Sequence, residues 1–139
     1  MKSWLYLSTA RKFEDAALLL MRIVVGSFLV WGVMDNVLHT ERMQEFVDFL
    51  AKFGFPAPEL LAPLSVWVQL VVGVCFVLGL ITRWAGVLCM INFIIAVAMV
   101  DRFGGIRGSF SSVCLILIGL YLATHGAGQY SLDARVARN

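Results

Sequence analysis

Charge is scarce in this chain: Asp, Glu, Lys and Arg make up 14% of 139 residues, against 60% hydrophobic ones and a mean hydropathy of +0.87. A soluble domain carries about 25% charged residues, so there is too little polar surface to dress a water-soluble globule of this size. The composition belongs in a bilayer. The length excludes a nucleotide-binding domain beside the membrane part and points to a single membrane domain, 1–139. A net charge of +2, spread along the chain, argues against nucleic acid as a partner.

Cysteine and histidine are equally sparse. Cys75, Cys89 and Cys114 sit inside apolar runs at spacings that match neither a redox pair nor a zinc ligand set. This disfavours the four-helix membrane thiol oxidoreductases, which need paired cysteines close enough to exchange, and leaves the three as small polarizable packing residues. His39 ends the first apolar run and His125 the last, so they stand at opposite faces, about 30 Å apart. One haem iron cannot take both. No other metal-ligand spacing, no nucleophile with a base, and no phosphate-binding glycine loop is visible, and Gly104, Gly105 and Gly108 read as a turn between helices.

What is present is hydrophobic length. The run 16–38 exceeds the roughly 20 residues needed to cross the hydrocarbon core, and it lacks the cleavage site of a secretory signal. Three more runs follow at about 63–81, 84–100 and 109–124, the second opening on Pro63 and the last ending before Gly126 as a C-cap. Between the first two, 40–53 places Met43, Phe46, Val47, Leu50 and Phe53 at helical spacing with Glu41, Glu45, Asp48 and Lys52 opposite. Such a helix is amphipathic, and its acidic face suits packing on the bundle or a partner more than a lipid surface. The expected fold is therefore all-α: an integral membrane four-helix bundle with an amphipathic surface helix between spans one and two. Lys2, Arg11, Lys12, Arg83, Arg135 and Arg138 lie on the side of the termini, and Arg42, Lys52, Arg102 and Arg107 on the other. The excess places both termini in the cytoplasm.

An ionisable residue in a span costs about 2.5–3.5 kcal/mol and needs a partner, an escape or a function. Arg22 lies about 9 Å into the first span, within reach of the interface. Asp35 is about 20 Å further along, so it cannot pair with Arg22, while His39 stands four residues on along the same face. Ser65, Gln69 and Gly73 make a narrow polar and small stripe on the second span. Ala85, Cys89, Asn92 and Ala96 repeat it on the third, and Ser112, Gly119 and Ala123 on the fourth. These are faces that glue a bundle together. Asp35, His39, Gln69 and Asn92 also fall from its middle to its outer half, where convergent polar groups can hold the head of a lipid-soluble molecule, with Trp31 and Trp67 near the same level.

Gly54-Phe55-Pro56-Ala57-Pro58, Gln69-Leu70-Val71-Val72-Gly73, Gly79-Leu80-Ile81-Thr82-Arg83 and Gly126-Ala127-Gly128-Gln129-Tyr130-Ser131-Leu132-Asp133, in this order on four spans, resemble the DoxX family of small bacterial membrane proteins over 18–133. The resemblance implies a bundle in a prokaryotic inner membrane, related to the membrane subunit of a thiosulfate:quinone oxidoreductase and to thiol-redox and oxidative-stress complexes. Arg22, Gln69, Arg83, Tyr130 and Asp133 match family positions. The family often has a glutamate where this chain has Gln69 and a lysine near Asp35, and neither charge is present here. The implied role is a subunit that is not an enzyme by itself, giving an apolar site to a quinone while a redox partner carries the centre. The alternatives are a non-catalytic anchor or accessory subunit docking through 40–53, a homo-oligomer, and a small four-helix transporter. At the cytoplasmic end, Tyr130 and Ser131 re-enter the interface, and Asp133 is expected beside Arg83 and Arg22 in an ion pair that ties the tail to the bundle.

Overall fold

The computed structural model describes residues 7–139, so Lys2 of the charge count lies outside the described residues. Six α-helices follow in order: α1 (Glu14–Leu38), α2 (Thr40–Lys52), α3 (Pro58–Leu78), α4 (Thr82–Met99), α5 (Gly105–His125) and α6 (Leu132–Val136). Short 3-10 turns, Ser8–Phe13 and Asp101–Gly104, lead into α1 and α5, and no strand occurs among the described residues. α1, α3, α4 and α5 are long and apolar enough to cross a membrane, and the all-α bundle with α2 between its first two spans is the expected one.

All four spans start ahead of expectation, α1 and α4 by two residues, α3 by five and α5 by four. α3 opens on Pro58, not near Pro63, because Ala57 turns the chain in a left-handed conformation (φ 47°) and its carbonyl accepts the amides of Leu60 and Leu61. Pro58 then occupies a first-turn position where a missing N–H costs nothing, and Pro63 lies inside the helix. α5 starts at Gly105, four residues before the expected 109, so Gly108 is helical and the glycine turn shrinks to the 3-10 segment. α3 ends at Gly79 (φ 67°), where the amides of Gly79 and Leu80 return to the carbonyls of Phe76 and Cys75. This left-handed cap stops the helix short of 81.

Between helices in lipid there is no hydrophobic drive to associate, so close backbone approach and van der Waals contact must hold the bundle. The chain achieves this twice. α1 crosses α3 at Gly26 and Gly73, where a Cβ on Gly26 would lie 2.6 Å from the Gly73 carbonyl oxygen. α4 crosses α5 at Gly86 and Gly119, with the corresponding distance 2.5 Å. The two pairs meet mainly through α3 and α4, around one core that includes Leu18, Leu29, Phe76, Cys89 and Leu122. The stretch from Gly26 to Gly73 is longer than that from Gly86 to Gly119 by about the length of α2, which has 13 residues. The bundle is thus two helical hairpins of similar plan, the first carrying α2 as an insert.

α2 buries Val47 and Leu50 against Ala62 of α3, with Phe46 and Phe55 alongside. Its charged face points away from the bundle, where Arg42 and Glu45 form an exposed ion pair at 3.1 Å. Phe49 and Phe53 continue the apolar face to Phe103 of the α4–α5 turn, ring centres 6.0 Å apart for Phe53 and Phe103. The α2 side is called the upper end below. The lower end holds the start of α1, the α3–α4 turn and the close of α5.

Candidate functional site

At the upper end, Ser65 joins two of the four residues expected to converge, Gln69 and Asn92. The Ser65 hydroxyl donates to Asn92 Oδ1 at 2.9 Å and accepts from Gln69 Nε2 at 3.1 Å, a chain that ties α3 to α4. Asp35 and His39 are exposed, and no side-chain hydrogen bond joins either to Gln69 or Asn92 among the described residues. Gln69 bonds within its own helix and Asn92 across to α3, both through Ser65, as polar residues in bundles do.

The lower end is where distant parts of the chain meet. Residues 126–133 cross beneath the bundle as a strap. The Arg22 guanidinium, 0% exposed, donates through Nη2 to the Tyr130 carbonyl at 2.5 Å, while its Nε and Nη1 have no partner. Its Nη1 lies where only a glycine can stand: a Cβ on Gly79 would be 1.9 Å from it. The Asp133 carboxylate makes no ion pair with Arg22 or Arg83 among the described residues. Its oxygens accept the amides of Ile81 (2.7 Å) and Thr82 (2.9 Å), and its own amide donates to the Gly79 carbonyl at 2.9 Å. The reason is competition: the opening amides of α4 are unpaired donors aligned with the positive end of the helix dipole, and a carboxylate satisfies both at once. This bond also holds Ile81 at φ 49°, a left-handed conformation that is strained for a β-branched residue.

Arg83 turns the other way. Its Nη1 donates to the carbonyls of Ala123 (3.1 Å) and Thr124 (2.5 Å) and its Nη2 to that of His125 (3.3 Å), closing the end of α5 with a cation where the dipole is negative. His125 Nε2 stands 3.4 Å from Glu14 Oε1, and the Gln129 amide donates to Asp15 at 3.1 Å, so the strap also fastens to α1. Beside Arg83 lies a recess of about 370 Å³, walled by Thr82, Trp84, His125 and Asp133.

A second concavity runs along the apolar outside of the α1–α3 hairpin. It has a volume of about 530 Å³ and is lined by Ser27, Val30, Trp31 and Met34 from α1 and by Val74 and Val77 from α3. Ser27 contributes the one hydroxyl among these side chains and Trp31, 85% exposed, an indole N–H. Ser27 and Thr82 escaped the reading of the sequence. Thr82 stood inside a quoted motif without a role, and Ser27 shares a helical face with Val30, Trp31 and Met34, a lone hydroxyl on an apolar stripe.

Four membrane-spanning helices in two glycine-crossed hairpins, with an amphipathic helix inserted in the first, define a small multi-pass membrane protein. A family model described as DoxX matches residues 17–102, more than half of the chain, and the chain belongs to the DoxX family. The matched stretch runs from within α1 to the end of α4 and includes Arg22, Gln69 and Arg83, whereas Tyr130 and Asp133 of the strap lie beyond it. No curated protein and no solved structure matches the chain.

Proposed function

We propose that this chain is a membrane subunit of a quinone-linked redox complex in a bacterial inner membrane, holding an apolar quinone or lipid in the α1–α3 groove while a partner protein carries the redox centre. The groove carries this reading: about 530 Å³ of apolar wall, with donors from Ser27 and Trp31, is the composition expected of a site that takes a ring with carbonyl acceptors and an apolar tail. A bound quinone would supply two-electron, two-proton chemistry, and the part of this chain is to bind and orient it. Both termini are assigned to the cytoplasm, since Arg11, Lys12, Arg83, Arg135 and Arg138 cluster at the lower end.

Native mass spectrometry of the protein purified from its own membranes in mild detergent, with extraction of the accompanying lipid, tests this. A retained quinone, or a partner bearing a flavin, haem or reactive thiol, supports the proposal. A bare protein overturns it. Val30→Trp, which fills the groove, is expected to lower quinone retention without loss of folded protein. A second reading, an accessory subunit docking through α2, is favoured by one observation: α2 turns Glu41, Glu45 and Asp48 away from the bundle. Charge reversal at these three positions would then release the partner and leave quinone retention unchanged.

A further inference from the structure

The recess at the lower end is not used by that reading, and it contains a group with no structural employment. Thr82 is 0% exposed and its hydroxyl has no hydrogen-bond partner. A buried hydroxyl without a partner costs free energy unless something else satisfies it. Thr82 lines the recess together with Arg83, whose Nε makes no hydrogen bond among the described residues while Nη1 and Nη2 hold the end of α5.

Among the described residues the recess offers one free cationic donor, the Nε of Arg83, on which an anionic group can rest. Asp133 also lines it, its charge set against the positive end of α4 through the amides of Ile81 and Thr82, so neither of those two counts towards a ligand. Depth then limits what the anion can be. Thr82 begins one span and His125 ends another, so the recess lies where the hydrocarbon core gives way to headgroups. Trp84, 71% exposed at its mouth, is the residue type that settles at that level. We propose that this recess binds the phosphate group of an anionic phospholipid headgroup, with the Arg83 guanidinium and the Thr82 hydroxyl as donors. Basic pockets between spans at a membrane interface take such headgroups, and here the lipid rests between the α3–α4 turn and the end of α5.

The test is a titration of the full-length, delipidated protein by native mass spectrometry with three probes: phosphatidylglycerol, a diacylglycerol of the same chains, and glycerol phosphate. Phosphatidylglycerol is expected to bind once per chain, and the diacylglycerol about tenfold more weakly. Arg83→Gln is expected to weaken phosphatidylglycerol about tenfold. Arg83 also closes α5, so Thr82→Val decides the matter if Arg83→Gln fails to fold. Thr82→Val should weaken the lipid about fivefold while leaving the unfolding temperature unchanged or higher, because it removes an unpartnered hydroxyl. Equal binding of diacylglycerol and phosphatidylglycerol overturns the proposal, as does unchanged lipid affinity in Thr82→Val. Glycerol phosphate binding as tightly as the lipid keeps the phosphate site and overturns the lipid as its source.

Discussion

The two hairpins share a plan and differ at their lower ends. In each, the first helix carries an arginine before its crossing glycine, Arg22 before Gly26 and Arg83 before Gly86, and the second helix ends at a positive-φ glycine, Gly79 or Gly126. In the α1–α3 hairpin the arginine is sealed under the strap with one hydrogen bond and two unpartnered nitrogens. In the α4–α5 hairpin it is exposed and reaches three carbonyls. One frame therefore supports a closed end and an open one. The strap makes the difference, since it follows α5 yet covers the end of α3, leaving the side of Arg83 free.

The largest effect that would test this contrast is Gly79→Ala. The new Cβ would meet Arg22 Nη1 at 1.9 Å and Ser131 Cβ at 2.5 Å at φ 67°, so a loss of about 3–5 kcal/mol is expected, read as a collapse of the thermal midpoint in detergent. Gly126→Ala, where the nearest atom is an Arg83 side-chain nitrogen at 3.4 Å, should cost about 1–2 kcal/mol. Equal losses at the two positions would end the distinction between closed and open ends. Alanine at Gly26 and at Gly119 should each cost about 1–3 kcal/mol, because a backbone carbonyl opposes the methyl and cannot step aside. Similar values in unfolding titrations would support the repeated plan, and a silent position in either hairpin would break it. Asp133→Ala leaves the amides of Ile81 and Thr82 unpaired, so about 1–2 kcal/mol should be lost, with faster hydrogen exchange across 126–133. Asp35→Asn, at an exposed position on α1, should change stability by less than about 0.5 kcal/mol.

The spans were legible because 20 apolar residues in a row have few alternatives, and α2 because its period is strong. Their edges were less so. Pro63 reads as a helix start as well as Pro58 does, and only the left-handed turn at Ala57 decides between them. The polar stripes on α3 and α4 were visible, but which stripe meets which depends on the Gly26–Gly73 and Gly86–Gly119 crossings. The bond from Ser65 to Asn92 was likewise hidden, since each residue was visible only as a member of its own stripe. At the lower end Arg22, Arg83, Tyr130 and Asp133 were identified as residues, yet their partners were not. Backbone amides and carbonyls have no letter in a sequence, and here they outcompete the arginine–carboxylate pairing that the letters suggest.

The Arg22–Tyr130 bond spans 108 residues, which has a consequence for how the protein is made. Arg22 leaves the ribosome in the first span, and the carbonyl that receives it is synthesised only after all four spans have been translated. Until then its guanidinium has no strap above it, and the turn at Gly79 waits for the Asp133 amide. Insertion can proceed span by span, but the lower end closes last and all at once. A chain that stalls before residue 130 carries four helices and an uncovered charge.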